Sequence, residues 1–343
     1  MLVVFFCLSI LAGYYFSIKR TYHHGPKSDH FNGKVFFNPW AIRKNSFFAF
    51  LSWKWGAKPK KWPTHVNNSF GENPPEKVES SEILVTFIGH STLLIQTEGV
   101  NILTDPVWSE KIGPFSWLGI KRVGAPGVSL ERLPKIDLVL VSHNHYDHLD
   151  LKTIEKLWRR DRPLILTPLG NESIIHQKDS NIEVKTLDWG QSISFNSILS
   201  LHLEPVQHWS ARGIFDRDKA LWGAFVICTP SGPLYFAGDS GYCKEIFCKT
   251  KEKFGCFRLA CLPIGAYEPR WFMRYGHMNP EESVQAFKDL GEPFTIGIHF
   301  GTFQLSDEGY LDPIAGLDRA RKKFQVPEEK FCVLKIGQVT KVG

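Results

Sequence analysis

The run His143-Asn144-His145-Tyr146-Asp147-His148 places four side chains that can ligate a metal within six residues. It follows Asp137–Ser142 (DLVLVS), a continuous apolar run of the kind shown by a strand buried on both faces. Polar side chains packed this densely at the exit of a buried strand would be costly to bury without a partner. In an extended loop His143 and His145 point the same way and can share one cation. Asp147 and His148, one turn later, can reach a second cation beside it. A lone H-x-H says little, but H-x-H-x-D-H after such a strand is a strong metal signal.

Two cations need further ligands, and three residues at strand ends could supply them. His208 follows Leu199–Val206, Asp239 follows Leu234–Ala237 within Phe-Ala-Gly-Asp-Ser-Gly, and His299 ends Thr295–His299. Each alone also reads as a structural residue or a turn. Together they complete a pattern in which His143, His145 and His208 hold one ion, Asp147, His148 and His299 the other, and Asp239 bridges both. Two ions about 3.5–4 Å apart lower the pKa of a shared water towards neutrality. Nitrogen and oxygen donors suit two zinc ions and also accept iron or manganese.

The elements that must position these residues read as short strands alternating with helices. Strands are expected at Ile83–Ile88, Thr92–Gln96, Asn101–Thr104, Asp137–Ser142, Leu164–Thr167 and Ile182–Thr186. Others are expected at Ile198–Glu204, Leu221–Cys228, Leu234–Ala237, Leu259–Pro263, Thr295–His299 and Phe331–Lys335. Helices are expected at Leu151–Arg160, Pro280–Leu290 and Ile314–Lys323. Two such halves suggest two packed sheets with helices outside.

The composition, 43% hydrophobic and 22% charged over 343 residues, is that of a globular protein and argues against disorder. A net charge of +6, spread along the chain, allows attraction to an anionic surface. No dense basic stripe appears, and the spacing from His148 to His208 leaves no room for an inserted nucleic-acid domain, so nucleic acid is not an expected partner. Seven cysteines lack a disulfide-framework spacing; Cys243, Cys248, Cys256 and Cys261 are not spaced as a zinc ribbon, and reduced thiols are expected. Leu2–Ile18 carries no charge and ends at Lys19-Arg20. Residues 1–20 therefore read as a membrane anchor or signal segment, with the catalytic domain expected on the cytoplasmic side. Residues 21–80 read as a linker and irregular region, and residues 81–343 as the hydrolase domain.

The ligand pattern resembles that of the metallo-β-lactamase superfamily, which implies an α+β fold, an αββα sandwich with its metal site between the sheets. Further motifs narrow the likeness: Leu103–Pro106, Ser142–Asp150, Gln207–Trp209, Leu221–Gly223, Phe236–Asp239, Ile264–Met273 and Ile298–Phe303. Spread over about residues 33–312, they resemble the N-acylphosphatidylethanolamine-hydrolysing phospholipase D family. Residues 1–32 do not match, and Phe300 stands where that family has Trp. The resemblance implies a zinc-dependent phosphodiesterase that releases N-acylethanolamine and phosphatidic acid, with Asp147 as ligand and catalytic proton relay. It gives Asp105 the role of orienting a metal-bound histidine, although a turn-starting Asp before Pro106 is the plainer reading. It places His277 near substrate, where a cap before Met278-Asn279-Pro280 is the alternative.

Two apolar segments beside cations suit docking at an anionic bilayer or packing of a lid. One is Ile112, Phe115, Trp117, Leu118 and Ile120 before Lys121-Arg122. The other is Trp271, Phe272 and Met273 between Arg270 and Arg274, and its Trp271 and Phe272 are expected to contact the substrate. The expected partners are a phospholipid substrate and a membrane surface, and a homodimer is admitted. A lactonase, or a phosphodiesterase acting on a small phosphorylated substrate, is the competing enzymatic reading. A non-catalytic binding protein would be expected to have lost ligands, and this chain has kept them.

Overall fold

β-Branched and aromatic residues at alternate or continuous apolar positions form sixteen strands in the computed structural model, which describes residues 21–41, 47–68, 73–114, 119–213 and 215–342. In chain order the first are β1 (Ile83–Gly89), β2 (Thr92–Thr97), β3 (Val100–Thr104), β4 (Lys111–Ile112) and β5 (Ile120–Lys121). Next come β6 (Leu138–Leu140), β7 (Leu164–Pro168), β8 (Val184–Leu187), β9 (Ser192–Ser194) and β10 (Ser200–Glu204). The last are β11 (Ala224–Thr229), β12 (Gly232–Phe236), β13 (Leu259–Pro263), β14 (Phe294–Ile298), β15 (Phe331–Cys332) and β16 (Val339–Val342).

One seven-stranded sheet runs β16-β1-β2-β3-β6-β7-β8 and the other β15-β14-β13-β12-β11-β10-β9; β4 and β5 form a separate ribbon. Each sheet is antiparallel on one side and parallel on the other, with parallel pairs β3–β6, β6–β7, β7–β8 and β12–β13, β13–β14, β14–β15. The main core lies between the sheets, where Phe87, Leu93 and Leu140 of one meet Phe225, Phe236 and Leu262 of the other. Parallel strands align their carboxyl ends, and loops at those ends are where α/β proteins gather functional groups.

Helices close both outer faces. On the first sheet lie α2 (Leu151–Asp161) and α3 (Asn171–Lys178), after α1 (Phe47–Gly56) earlier in the chain. Ile154, Leu157 and Trp158 of α2 share one buried face, and Asp150 caps its start by accepting from the Lys152 N–H. The second sheet carries α4 (Lys244–Phe254), α6 (Pro280–Asp289) and α7 (Asp312–Phe324), with the short α5 (Arg270–Met273) in the loop after β13. The result is the αββα sandwich that the motifs imply.

Several elements depart from the sequence expectations. The strand expected over Asp137–Ser142 stops at Leu140 because the Ser142 N–H turns to the Asp105 carboxylate, at 2.7 Å, and leaves the ladder. The strand expected from Leu221 begins at Ala224, since the Leu221 N–H donates to the Leu169 carbonyl just past β7 of the other sheet. Helix α1 lies in a stretch read as irregular, and α3, α4 and α5 were not expected. The N-terminal apolar segment, together with Phe115, Trp117 and Leu118, falls outside the described residues. Among the described residues no helix is long and apolar enough to cross a membrane. The described cysteines are free thiols.

Helix α6 starts on a capping box: the Asn279 side chain accepts from the Glu282 N–H at 2.8 Å and Glu282 accepts from the Asn279 N–H at 3.1 Å. Asn279→Ala should cost about 1 kcal/mol of stability. A urea-denaturation midpoint equal to that of the unaltered protein would contradict this reading of the cap.

Candidate metal centre

Every residue of the expected cluster lies at or just beyond a strand's carboxyl end. β6 delivers the His143–His148 loop, β10 delivers His208, β12 delivers Asp239 and β14 delivers His299. The close approach of β12 to the first sheet depends on Gly238, whose φ is +58°; a Cβ there would lie 2.5 Å from that of Ser142. Any larger residue would push Asp239 away from the β6 loop.

The seven side chains meet around one buried carboxylate. Asp239 Oδ2 lies 3.9 Å from His143 Nε2 and 3.7 Å from His208 Nε2 on one side. It lies 3.2 Å from both His148 Nε2 and His299 Nε2 on the other. His145 joins the first group through Nδ1, 2.8 Å from His143 Nε2 and 3.3 Å from His208 Nε2. Asp147 joins the second through Oδ2, 3.3 Å from His148 Nε2 and 3.2 Å from His299 Nε2. Donor atoms of His143, His145, His208 and Asp239 all lie within 4.8 Å of one another, as do those of Asp147, His148, His299 and a further residue, His90.

The surroundings fix which nitrogen each imidazole offers. Asp105 Oδ2 sits 2.6 Å from His148 Nδ1, and the Gly276 carbonyl 2.8 Å from His208 Nδ1, so both rings donate there and keep Nε2 free to ligate. Asp105 also accepts from the Ser142 hydroxyl at 2.6 Å, which leaves that oxygen to accept from His143 Nδ1 at 2.9 Å. A single carboxylate thus orients one imidazole in each group, His148 of the second directly and His143 of the first through Ser142.

Electrostatics divide the histidines. Burial pushes His145 and His208 down to about 3 and His143 well below its ordinary value, so all three are neutral lone-pair donors. Burial also opposes charge on His299, but Asp239 and Asp147 outweigh it and raise the ring to about 9. Burial would raise the carboxyl of Asp239, yet His299 and His148 hold it well below the usual carboxylate range. Burial would likewise raise Asp147, and His148, His299 and His90 overcome it. His145 Nε2, His148 Nε2 and Asp239 Oδ1 are buried without a hydrogen-bond partner. Burial likewise opposes charge on His148, and Asp239, Asp147 and Asp105 raise it well above its ordinary value. Two carboxylates, three neutral imidazoles and orphaned buried atoms fit a pair of divalent cations, which would supply the positive charge that protons on His148 and His299 supply without them.

His90, given no role from sequence, lies against the second group. Its Nε2 is 2.8 Å from Asp147 Oδ2, its ring centroid is 4.1 Å from that of His299, and its carbonyl accepts the His299 N–H at 2.9 Å. The available signal was its position directly after β1 and Gly89, like the ligands after their own strands. His277 faces the cluster with Nδ1 3.8 Å from Asp239 Oδ2, and its loop is braced by Arg270, which donates to the His277 carbonyl at 2.9 Å and to Glu282 at 2.6 Å.

A cavity of about 560 Å³ opens on the cluster, with His145, Asp147, Asp239 and His277 on its floor and Phe50, Trp53, Ile112, Trp209 and Phe272 among its walls. Of the aromatic pair expected at substrate, Phe272 lines this cavity, whereas Trp271 points outwards and is 59% exposed. A larger groove of about 890 Å³ lies beyond Tyr146 and Arg212; none of the seven clustered side chains lines it.

Asp105→Asn keeps the shape but weakens the acceptor that sets His148 and, through Ser142, His143. Metal affinity should fall about 10–100-fold, measured by competition with a chromogenic chelator. Unchanged affinity would remove Asp105 from the centre.

Comparison with known proteins agrees with this geometry. Residues 100–300 match the β-lactamase superfamily domain. The chain is 38% identical over 272 residues to the Caenorhabditis elegans N-acyl-phosphatidylethanolamine-hydrolyzing phospholipase D 1, covering 76% of each protein. It is 36% identical over 274 residues to the mitochondrial enzyme of that name from Saccharomyces cerevisiae, covering 78% of this chain and 57% of that protein. In fold it is similar to Igni18, a metallo hydrolase from Ignicoccus hospitalis (TM-score 0.58, 22% identity, 76% of this chain and 99% of that one). It is also similar to an isothiocyanate hydrolase from Delia radicum gut bacteria (TM-score 0.60, 20% identity, 75% and 98%). The chain belongs to the β-lactamase superfamily and, within it, to the N-acyl-phosphatidylethanolamine-hydrolysing phospholipase D family, and it is a metal-dependent hydrolase.

Proposed function

We propose that this protein is a zinc-dependent phospholipase D that hydrolyses N-acylphosphatidylethanolamine at a membrane surface. The observation that carries the reading is the cavity: aromatic and aliphatic walls lead straight to a floor of metal-ligating side chains. Such a site suits a substrate whose reacting group is polar and whose remainder is apolar. Two cations held by the seven residues would supply Lewis acidity at the phosphoryl oxygens and acidify water.

The chain's own groups do the rest. Asp147, fixed by His90 at 2.8 Å, is the carboxylate placed to relay a proton from the attacking water. His277, held neutral by a pKa that burial lowers to about 3, offers an unpartnered Nδ1 to a substrate oxygen. Water adds to phosphorus, the bond from phosphorus to the ethanolamine oxygen breaks, and that oxygen takes up the proton. One water is consumed for each phosphatidate and N-acylethanolamine formed.

The rim of the cavity supports a membrane partner. On α1, Phe48 is 78% and Trp55 96% exposed, beside Trp53, which stacks on Phe272 at 4.9 Å and carries the Lys54 ammonium at 4.0 Å. Exposed aromatics next to a cation suit the headgroup boundary.

Incubating the zinc-loaded protein with N-acylated and plain phospholipids tests the chemistry. Phosphatidate and N-acylethanolamine in equal amounts are expected, and release of fatty acid or diacylglycerol alone overturns the assignment. Replacing Phe48 and Trp55 with Ser should weaken co-sedimentation with anionic vesicles about tenfold or more. Undiminished vesicle binding would assign those rings to another purpose.

A further inference from the structure

Two arginines line the cavity wall formed by the loop after β10, and only one is committed elsewhere. Arg212 donates to the carbonyls of Asn144 and Leu149, at 2.9 and 2.8 Å, and lies 4.0 Å over the Tyr146 ring. It staples the His143–His148 loop in place. Arg217 has no such duty. Its guanidinium stacks 4.5 Å from the Trp209 ring, and among the described residues it makes no hydrogen bond and has no carboxylate within ion-pair distance. Its Nε is buried without an acceptor.

The acids nearest in sequence are occupied. Asp216 accepts from the Tyr22 hydroxyl at 2.9 Å, from the Arg212 N–H at 3.1 Å and from the Gly213 N–H at 2.7 Å. Asp218 accepts from the Ser210 N–H at 3.2 Å. Burial works against the charge on Arg217, with Asp218 and Tyr275 opposing it. Trp209 itself meets the His145 ring edge-on at 4.3 Å. The unused donor fork of Arg217 is therefore one indole away from a metal-ligating imidazole, in a cavity whose other walls are largely apolar.

We propose that Arg217 is an anion-binding, specificity-determining residue that grips the phosphate of the bound phospholipid, and most strongly the phosphate monoester of the product. A guanidinium presents paired N–H donors that match two phosphate oxygens, which a lysine cannot reproduce. Hydrolysis converts a monoanionic diester into a monoester of about −1.5 to −2 charge at neutral pH. A cation with free donors on the wall of the same cavity favours that change. The inference rests on the phospholipid reading above, and its ligand chemistry, a phosphate monoester, is shared by phosphatidate and inorganic phosphate.

The test uses the full-length, zinc-loaded protein and the variants Arg217→Gln and Arg217→Lys. Binding of dioctanoyl phosphatidate and of inorganic phosphate is measured by calorimetry, alongside metal content and thermal midpoint. Arg217→Gln should bind phosphatidate about tenfold more weakly at equal metal content, and Arg217→Lys should recover only part of the loss. In turnover, KM should rise by more than kcat falls. A loss seen for both probes supports the proposal and makes the phosphate group alone the ligand; a loss for phosphatidate only supports it and makes the lipid the ligand. Equal binding by wild type and Arg217→Gln, or a loss confined to inorganic phosphate, overturns it. Arg217-dependent phosphatidate binding without N-acylphosphatidylethanolamine turnover would sink the substrate assignment and leave the anion site standing. Normal turnover with binding indifferent to Arg217 would do the reverse.

Discussion

A carboxylate removed from water and ringed by five imidazoles is the constraint on which the rest of this molecule depends. Asp239 is 2% exposed, and nitrogens of His143, His148, His208, His277 and His299 lie within 4 Å of its Oδ2. An unpaired buried charge is among the most expensive features a fold can carry. Here the loops from β6, β10, β12 and β14, drawn from both sheets, must all close on it. The sandwich architecture serves this by aligning the carboxyl ends of its parallel strands. Gly238 and the left-handed His90, Asp105 and His299, with φ of 59°, 33° and 63°, then turn the chain sharply where it leaves the sheets.

The same constraint explains why the supporting groups are themselves buried and bonded. Asp105 makes three hydrogen bonds of 2.6 to 2.7 Å, to Ser142 twice and to His148, and is fully enclosed. Glu308, under the loop after β13, accepts from the Ala266 and Glu268 N–H groups at 2.6 and 3.0 Å and shapes the path to His277. Rigidity of this kind holds donor atoms at ligating spacing and lowers the reorganisation needed on binding substrate. The largely apolar walls of the cavity above add the other half of the site.

Much of this was legible in the chain because metal ligation demands particular residue types at strand ends, and density makes them conspicuous. H-x-H-x-D-H names four of the seven side chains at once, and His208, Asp239 and His299 follow strands whose apolar runs are plain. What stayed hidden depends on contacts between distant segments. Ser142 is a common residue type, and its relay from Asp105 to His143 exists only because β3 and β6 are neighbours. His90 is 57 residues from Asp147 in sequence and bonded to it in space. Trp271 and Phe272 are adjacent and equally apolar, yet one faces solvent and the other the cavity, a choice made by the packing of Trp53. Helix α1 lacks an acidic first turn and an amphipathic pattern, so nothing local announced it.

A buried carboxylate shared by two cation subsites fixes the number of metal ions each chain can hold. Protein purified without chelator and dialysed against zinc would be analysed by inductively coupled plasma mass spectrometry, beside Asp239→Ala and Asp147→Ala. Two equivalents per chain are expected for the unaltered protein, with Asp239→Ala losing both and Asp147→Ala retaining close to one. Fewer than one equivalent in the unaltered protein, or two retained in Asp239→Ala, would contradict a shared dinuclear centre.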